Sequence, residues 1–240
     1  MADVAPRYPA LLQPPLGLLR FGGANHPDED PFAPVLTALG QGVTGVVVDV
    51  HLTADGDPVI HPAPTLRIGL RRRALDSLST TQVPTQVPRL ADLYERCGNE
   101  LDLAVHLTDD AAVAVVVGLA ADAGGHASER LWLCSANWCQ AASWRVAAGD
   151  ARLVDSTRLR RVDEGPERRA ANLAKAGVDA VQLHESDWSA GLCALFHRFN
   201  RLALAGPAPQ VHQLDALLAM GLDAVSSEHA DRLDEARAGF

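Results

Sequence analysis

The chain has 240 residues, of which 48% are hydrophobic, 21% charged and only 5% aromatic. That is enough for one large domain with a core built from Ala, Val and Leu rather than from rings. The formal net charge of −9 argues against nonspecific binding to nucleic acid or to an anionic membrane.

The N-terminal stretch MADVAPRYPALLQPPLGLL has no basic segment followed by an unbroken apolar run, and Pro14-Pro15 interrupts it. No segment approaches the ~18 consecutive apolar residues of a membrane span. The expectation is a cytoplasmic protein with neither signal peptide nor membrane span. A first strand is predicted at 17–21, a helix at 32–41 and a second strand at 45–50. The connection 56–88 is longer than the others and carries Arg67, the run Arg71-Arg72-Arg73 and the stretch STTQVPTQVP. Those arginines read either as a basic rim for an anionic ligand or as a solvated charge run. Strands follow at 101–106, 130–135, 152–155, 179–183, 201–205 and 223–227. Helical patterns lie at 89–97, 109–122, 138–148, 166–176, 188–199, 209–219 and 230–238.

One phrase recurs: QGVTGVVV (41–48), AGVDAVQL (176–183) and MGLDAVSS (220–227). Each reads as a helix end, a glycine at the C′ position in a left-handed conformation, and the start of a buried strand. Alternating helices and apolar strands mean α/β. Eight such units predict a (β/α)8 TIM barrel, a fold of typically ~250 residues, with a single domain over 1–240 and its core at about 16–236. A doubly wound open sheet competes, although no GxGxxG follows the first strand.

The four cysteines, Cys97, Cys134, Cys139 and Cys193, match neither CxxC nor a zinc spacing, so reduced and mostly buried thiols are expected. Trp132, Trp138 and Trp144 gather around the fourth unit and read as packing residues. There is no GxSxG elbow, HExxH or Walker sequence.

The stretch GVTGVVVDVHLTADGDPVIHPAPTL resembles the glycerophosphodiester phosphodiesterase family, whose barrels are of the PLC-like phosphodiesterase type. LLRFGG stands where that family has A-H-R-G, EDPF where it has E-N-T, and VPRLADLYE at its I-P-T-L-x-E-x-L helix start. LDLAVH resembles its L-N-I-E-I-K strand, and GLDAVSSEHADRL its closing G-V-D-G-I-I-T-D-x-P-D-x-L. The likeness covers about 17–107 and 176–235, without a gap from Arg20 through Leu66. It implies hydrolysis of glycerol phosphodiesters in lipid metabolism, with two histidines as acid and base and three carboxylates holding Mg or Ca.

This sequence departs from that pattern at most of those positions. The first family histidine falls at Arg20, and the Glu of E-x-D at Val47, while its Asp is kept as Asp49. The second histidine falls at Pro62, with His61 one residue early; the third carboxylate falls at Ala104 and the strand lysine at His106. Arg20 and Asp49 are the candidate ligand-binding residues, and His61 and His106 the candidate catalytic ones. Asp49 is the one surviving metal position. Arg20 can grip a phosphate through bidentate hydrogen bonds or pair with Asp49. In a regular strand a one-residue shift would turn His61 to the other face. Two readings stay open. One is a pseudoenzyme that binds at most a small phosphate-bearing or polyol ligand at the barrel mouth. The other is a phosphoric diester hydrolase that releases glycerol 3-phosphate and an alcohol through a rearranged site of Asp49, His61 and His106, with Mg or Ca.

Overall fold

The structure, a computed structural model, describes residues 9–22 and 30–237. In chain order, β1 (Leu16–Arg20) leads to α1 (Ala33–Gly40) and β2 (Gly45–Leu52). The chain turns back in β3 (Pro58–Ile60), antiparallel to β2, and adds a separate hairpin of β4 (Thr65–Ile68) and β5 (Arg71–Ala74). Alternation then runs through α2 (Leu90–Cys97), β6 (Asp102–His106), α3 (Ala111–Ala123), β7 (Leu131–Ser135), α4 (Trp138–Ser143) and α5 (Arg145–Ala148). It ends with β8 (Arg152–Ser156), α6 (Pro166–Ala176), β9 (Ala180–Leu183), α7 (Ala190–Arg198), β10 (Leu202–Pro207), α8 (Val211–Ala219), β11 (Ala224–Ser227) and α9 (Ala230–Arg237).

The parallel order around the ring is β1, β2, β6, β7, β8, β9, β10, β11, and β11 pairs back onto β1. The sheet therefore closes, which excludes the open doubly wound alternative. The eight strands expected from the apolar runs are the eight strands of this ring.

Side chains alternate between two shells along each strand, as a pleated backbone requires. Val46 and Val48 of β2, and Leu103 and Val105 of β6, face the helices. Val47, Ala104, Trp132, Val154 and Leu204 fill the interior. Each fully buried aliphatic side chain contributes about 1.5–3 kcal/mol, so the filled interior is a core and not a pore. Gly45 is dictated by crowding between β2 and β6: a Cβ there would lie 1.8 Å from the Asp102 carbonyl oxygen. The recurrent glycines Gly42, Gly177 and Gly221 all have positive φ, at 90°, 71° and 89°, as the repeated phrase requires.

At the N-terminal end of the barrel, the fully buried Asp223 carboxylate accepts from the backbone N–H groups of Leu11 (2.6 Å), Leu12 (2.9 Å) and Ala203 (2.7 Å). It also lies 2.8 Å from Nε2 of His197. At the opposite end, Asp55 organises the long connection after β2. It accepts from the Thr53 hydroxyl (2.5 Å) and from the Thr80 N–H (3.0 Å) and hydroxyl (2.9 Å), and these bonds hold its carboxyl down at about 2. The hairpin of β4 and β5 stands on this connection with Arg71, Arg72 and Arg73 exposed. The four cysteines are free, three of them at least partly buried and Cys139 exposed.

Among the described residues no helix is long and apolar enough to cross a membrane. Glu29, from the EDPF segment, and Gly23 lie outside the described residues.

Candidate functional site

Parallel register sets which side chains meet at the mouth of the barrel. Asp49 lies beside His106, and Arg20 beside Val47, which in turn lies beside Ala104. All five belong to the inward-facing set. Arg20 reaches up from its level and donates to the Asp49 carboxylate in an ion pair, with the two side chains 28% and 20% exposed. Beneath the pair, Val47 and Ala104 are buried at 1% and 2%. The floor of the mouth is thus one neutralised ion pair above an apolar plug.

His106 joins this pair. Its Nε2 is shut off from solvent and has no hydrogen-bond partner. Burial pushes its pKa down to about 4; the Asp49 carboxylate opposes that shift and the Arg20 guanidinium adds to it. The imidazole is neutral near pH 7. His51, one inward position above Asp49 on β2, has the same character. Its Nε2 is buried without a partner, and burial lowers its pKa against the pull of Asp49.

His61 does not join them. Its backbone N–H bonds the Asp49 carbonyl at 3.0 Å, which completes the β2–β3 turn-back. Its ring is turned onto the HPAP segment, where Nδ1 lies 2.6 Å from the Ala63 carbonyl oxygen and 3.2 Å from the Ala63 nitrogen. Of the four sequence candidates, the fold brings Arg20, Asp49 and His106 together and spends the ring of His61 on its own loop.

The donor set does not fit a divalent cation. Such an ion takes six or more oxygen ligands, several of them carboxylate. Here Asp49 is the single carboxylate among Arg20, Val47, Ala104 and His106, and a guanidinium already holds it. No group of three or more His, Cys, Asp or Glu side chains among the described residues is placed to hold a metal.

Over this floor opens a cleft of about 460 Å³ at the C-terminal ends of the strands. Arg20 and His106 line its base, Arg158 and Arg161 one wall, and Glu228 another. Gln182 also faces it; this residue is 7% exposed and its side-chain oxygen accepts from the Ser156 hydroxyl at 2.8 Å. The Arg158 and Arg161 side chains make no hydrogen bond or ion pair among the described residues, and no protein acceptor meets the Gln182 amide N–H. Sequence reasoning missed these residues. STRLRR reads as a loop with scattered charge, and only the short helical turn at Leu159–Arg161 aims it at the mouth. None of Arg67, Arg71, Arg72 or Arg73 lines this cleft, so the solvated reading of that run holds.

A second cavity, of about 820 Å³, opens at the N-terminal face. Its charges are already matched within the protein. Arg130 lies 3.5 Å from Asp102, which also accepts from Trp132 Nε1 at 3.0 Å. Arg152 stacks 4.7 Å over the Trp132 ring and donates to the Glu129 carbonyl. In this fold such contacts at the N-terminal face serve stability, and ligand chemistry sits at the opposite end.

No family model matches the sequence, and no curated protein matches it. Solved structures do match its fold. A Silicibacter pomeroyi protein assigned as a glycerophosphoryl diester phosphodiesterase superposes with a TM-score of 0.79 at 17% identity, covering 94% of each chain. A glycerophosphodiester phosphodiesterase from Thermotoga maritima gives 0.73 at 12% identity, covering 90% of this chain and 95% of that one. An Oleispira antarctica phosphodiesterase, solved with its product sn-glycerol-3-phosphate, gives 0.72 at 16% identity, covering 94% and 96%. The chain shares the barrel fold of these proteins across nearly its whole length.

Proposed function

Starting from a barrel with the fold of the glycerophosphodiester phosphodiesterases, we propose that this protein binds a small phosphate-bearing or polyol ligand at its C-terminal mouth and does not hydrolyse it. The observation that carries the reading is the Arg20–Asp49 ion pair above Val47 and Ala104. A guanidinium cannot serve as a general base near neutral pH. It neutralises the one carboxylate left at the floor, so neither metal-assisted attack nor proton abstraction has its usual donors there. The same mouth still offers unpaired hydrogen-bond donors to an anion. A phosphate-bearing ligand also matches the sn-glycerol-3-phosphate found in the Oleispira antarctica phosphodiesterase.

The rival reading, a phosphoric diester hydrolase working through a rearranged site, draws on His106, which neighbours Asp49 in the sheet and whose Nε2 is buried without a partner. One experiment separates the two. Purified protein is incubated with glycerophosphodiesters and Mg or Ca, and glycerol 3-phosphate release is followed. We expect none above the uncatalysed rate. Turnover that is abolished both by a chelator and by Asp49→Ala would overturn the non-hydrolytic reading.

A further inference from the structure

Resting on the ligand-binding reading above, we propose that Arg158, Arg161 and Gln182 form a cationic wall that selects a doubly charged phosphate monoester over a singly charged phosphodiester. Charge matching carries the selection. Arg20 is matched by Asp49, so Arg158 and Arg161 are the arginines of the cleft without a counter-ion among the described residues. Gln182 adds an amide N–H open to the cleft, while its oxygen accepts from the Ser156 hydroxyl. The wall next to β8 is therefore cationic and rich in donors, with the Glu228 carboxylate on the far side of the same cleft.

A phosphate monoester carries a charge of about −1.5 to −2 at pH 7 and three terminal oxygens, with a second pKa of about 6. It can satisfy two guanidiniums and an amide at once through charge-assisted hydrogen bonds. A diester has one charge and two terminal oxygens, so it leaves one guanidinium without a charge-assisted bond and binds less tightly. Across the cleft Glu228 supplies the opposite polarity. A carboxylate there accepts from hydroxyl groups and repels a second phosphate. The ligand class is therefore a small phosphorylated polyol, oriented with its phosphate toward β8 and its hydroxyls toward β11.

The test is calorimetric titration of the full chain at about pH 7.5 with three probes: glycerol 3-phosphate, the matched diester bis(glyceryl) phosphate, and glycerol. The monoester is expected to bind about tenfold or more tighter than the diester, since each lost charge-assisted bond is worth about that factor. Arg158→Ala and Arg161→Ala should each weaken the monoester by about tenfold, while Arg160→Ala, on the same loop but off the cleft, should not. The preference should shrink below about pH 6, where the monoester takes up its second proton. Equal affinity for the two esters, no binding of the monoester, or indifference to both arginine variants would overturn the pocket. Release of glycerol 3-phosphate from the diester would instead overturn the non-hydrolytic reading, because the monoester titration does not depend on turnover.

Discussion

At the residue scale, the mouth is decided by what stands opposite each charge. Asp49 is the counter-ion of Arg20. A strand permits only two faces, and the parallel register puts Arg20, Asp49 and His106 on the inward one. The ring of His61 was harder to read, because its direction depends on a local bond to Ala63 rather than on the pleat. Arg158 and Arg161 were illegible for a similar reason: a charge on an irregular loop has no period from which to infer its direction. His106 yields a pH prediction. Its folded pKa is about 4 against an ordinary 6.5, so the unfolded chain takes up the proton first as pH falls. The stability linked to its neutral form is fully present above pH ~6.5, is lost progressively down to pH ~4, and amounts to about 3 kcal/mol. Urea unfolding of the native chain and of His106→Asn at a series of pH values checks this. The native chain should lose more stability across that window, and parallel curves would contradict it. His51 adds a loss of the same sign in both proteins.

At the scale of elements, all eight ring strands were legible because their apolar runs are buried on both faces, as parallel strands are. The β4–β5 hairpin was not, since Arg71-Arg72-Arg73 shows no alternation, β5 is largely exposed and β4 is only half-buried. The single helix expected at 138–148 is two, α4 and α5, broken at Trp144, where the indole N–H donates to Asp110 at 2.7 Å. Asp223 shows how one side chain fixes several elements. It holds residues 11 and 12, the start of β10 and the His197 ring of α7 together. Asp223→Ala would leave the buried Ala203 N–H unsatisfied and release the segment before β1. The expected cost is about 3–5 kcal/mol, measured by guanidinium unfolding, with a smaller loss for Asp223→Asn. A loss under about 1 kcal/mol would mean that water replaces the carboxylate there.

At the scale of the whole molecule, the sequence resemblance and the fold agree, while the floor of the mouth holds an ion pair above Val47 and Ala104. Folding depends on the period and burial of the strands, which Val47 and Ala104 serve as well as carboxylates would; chemistry depends on a few positions that those periods do not protect. The closed ring also has a consequence for cutting the chain. The hairpin carrying Arg71, Arg72 and Arg73 pairs only with itself, and Leu70 at its tip is 94% exposed. Limited trypsin digestion should cut there first. The resulting N-terminal fragment carries β1 and β2, and both of its edges are hydrogen-bonded to the other fragment, β1 to β11 and β2 to β6. The nicked protein should run as two bands on a denaturing gel and elute as one native-sized species in gel filtration; separation of the pieces would show that chain continuity, and not closure, holds the barrel. The same position is then a natural place to express the barrel as two complementing halves.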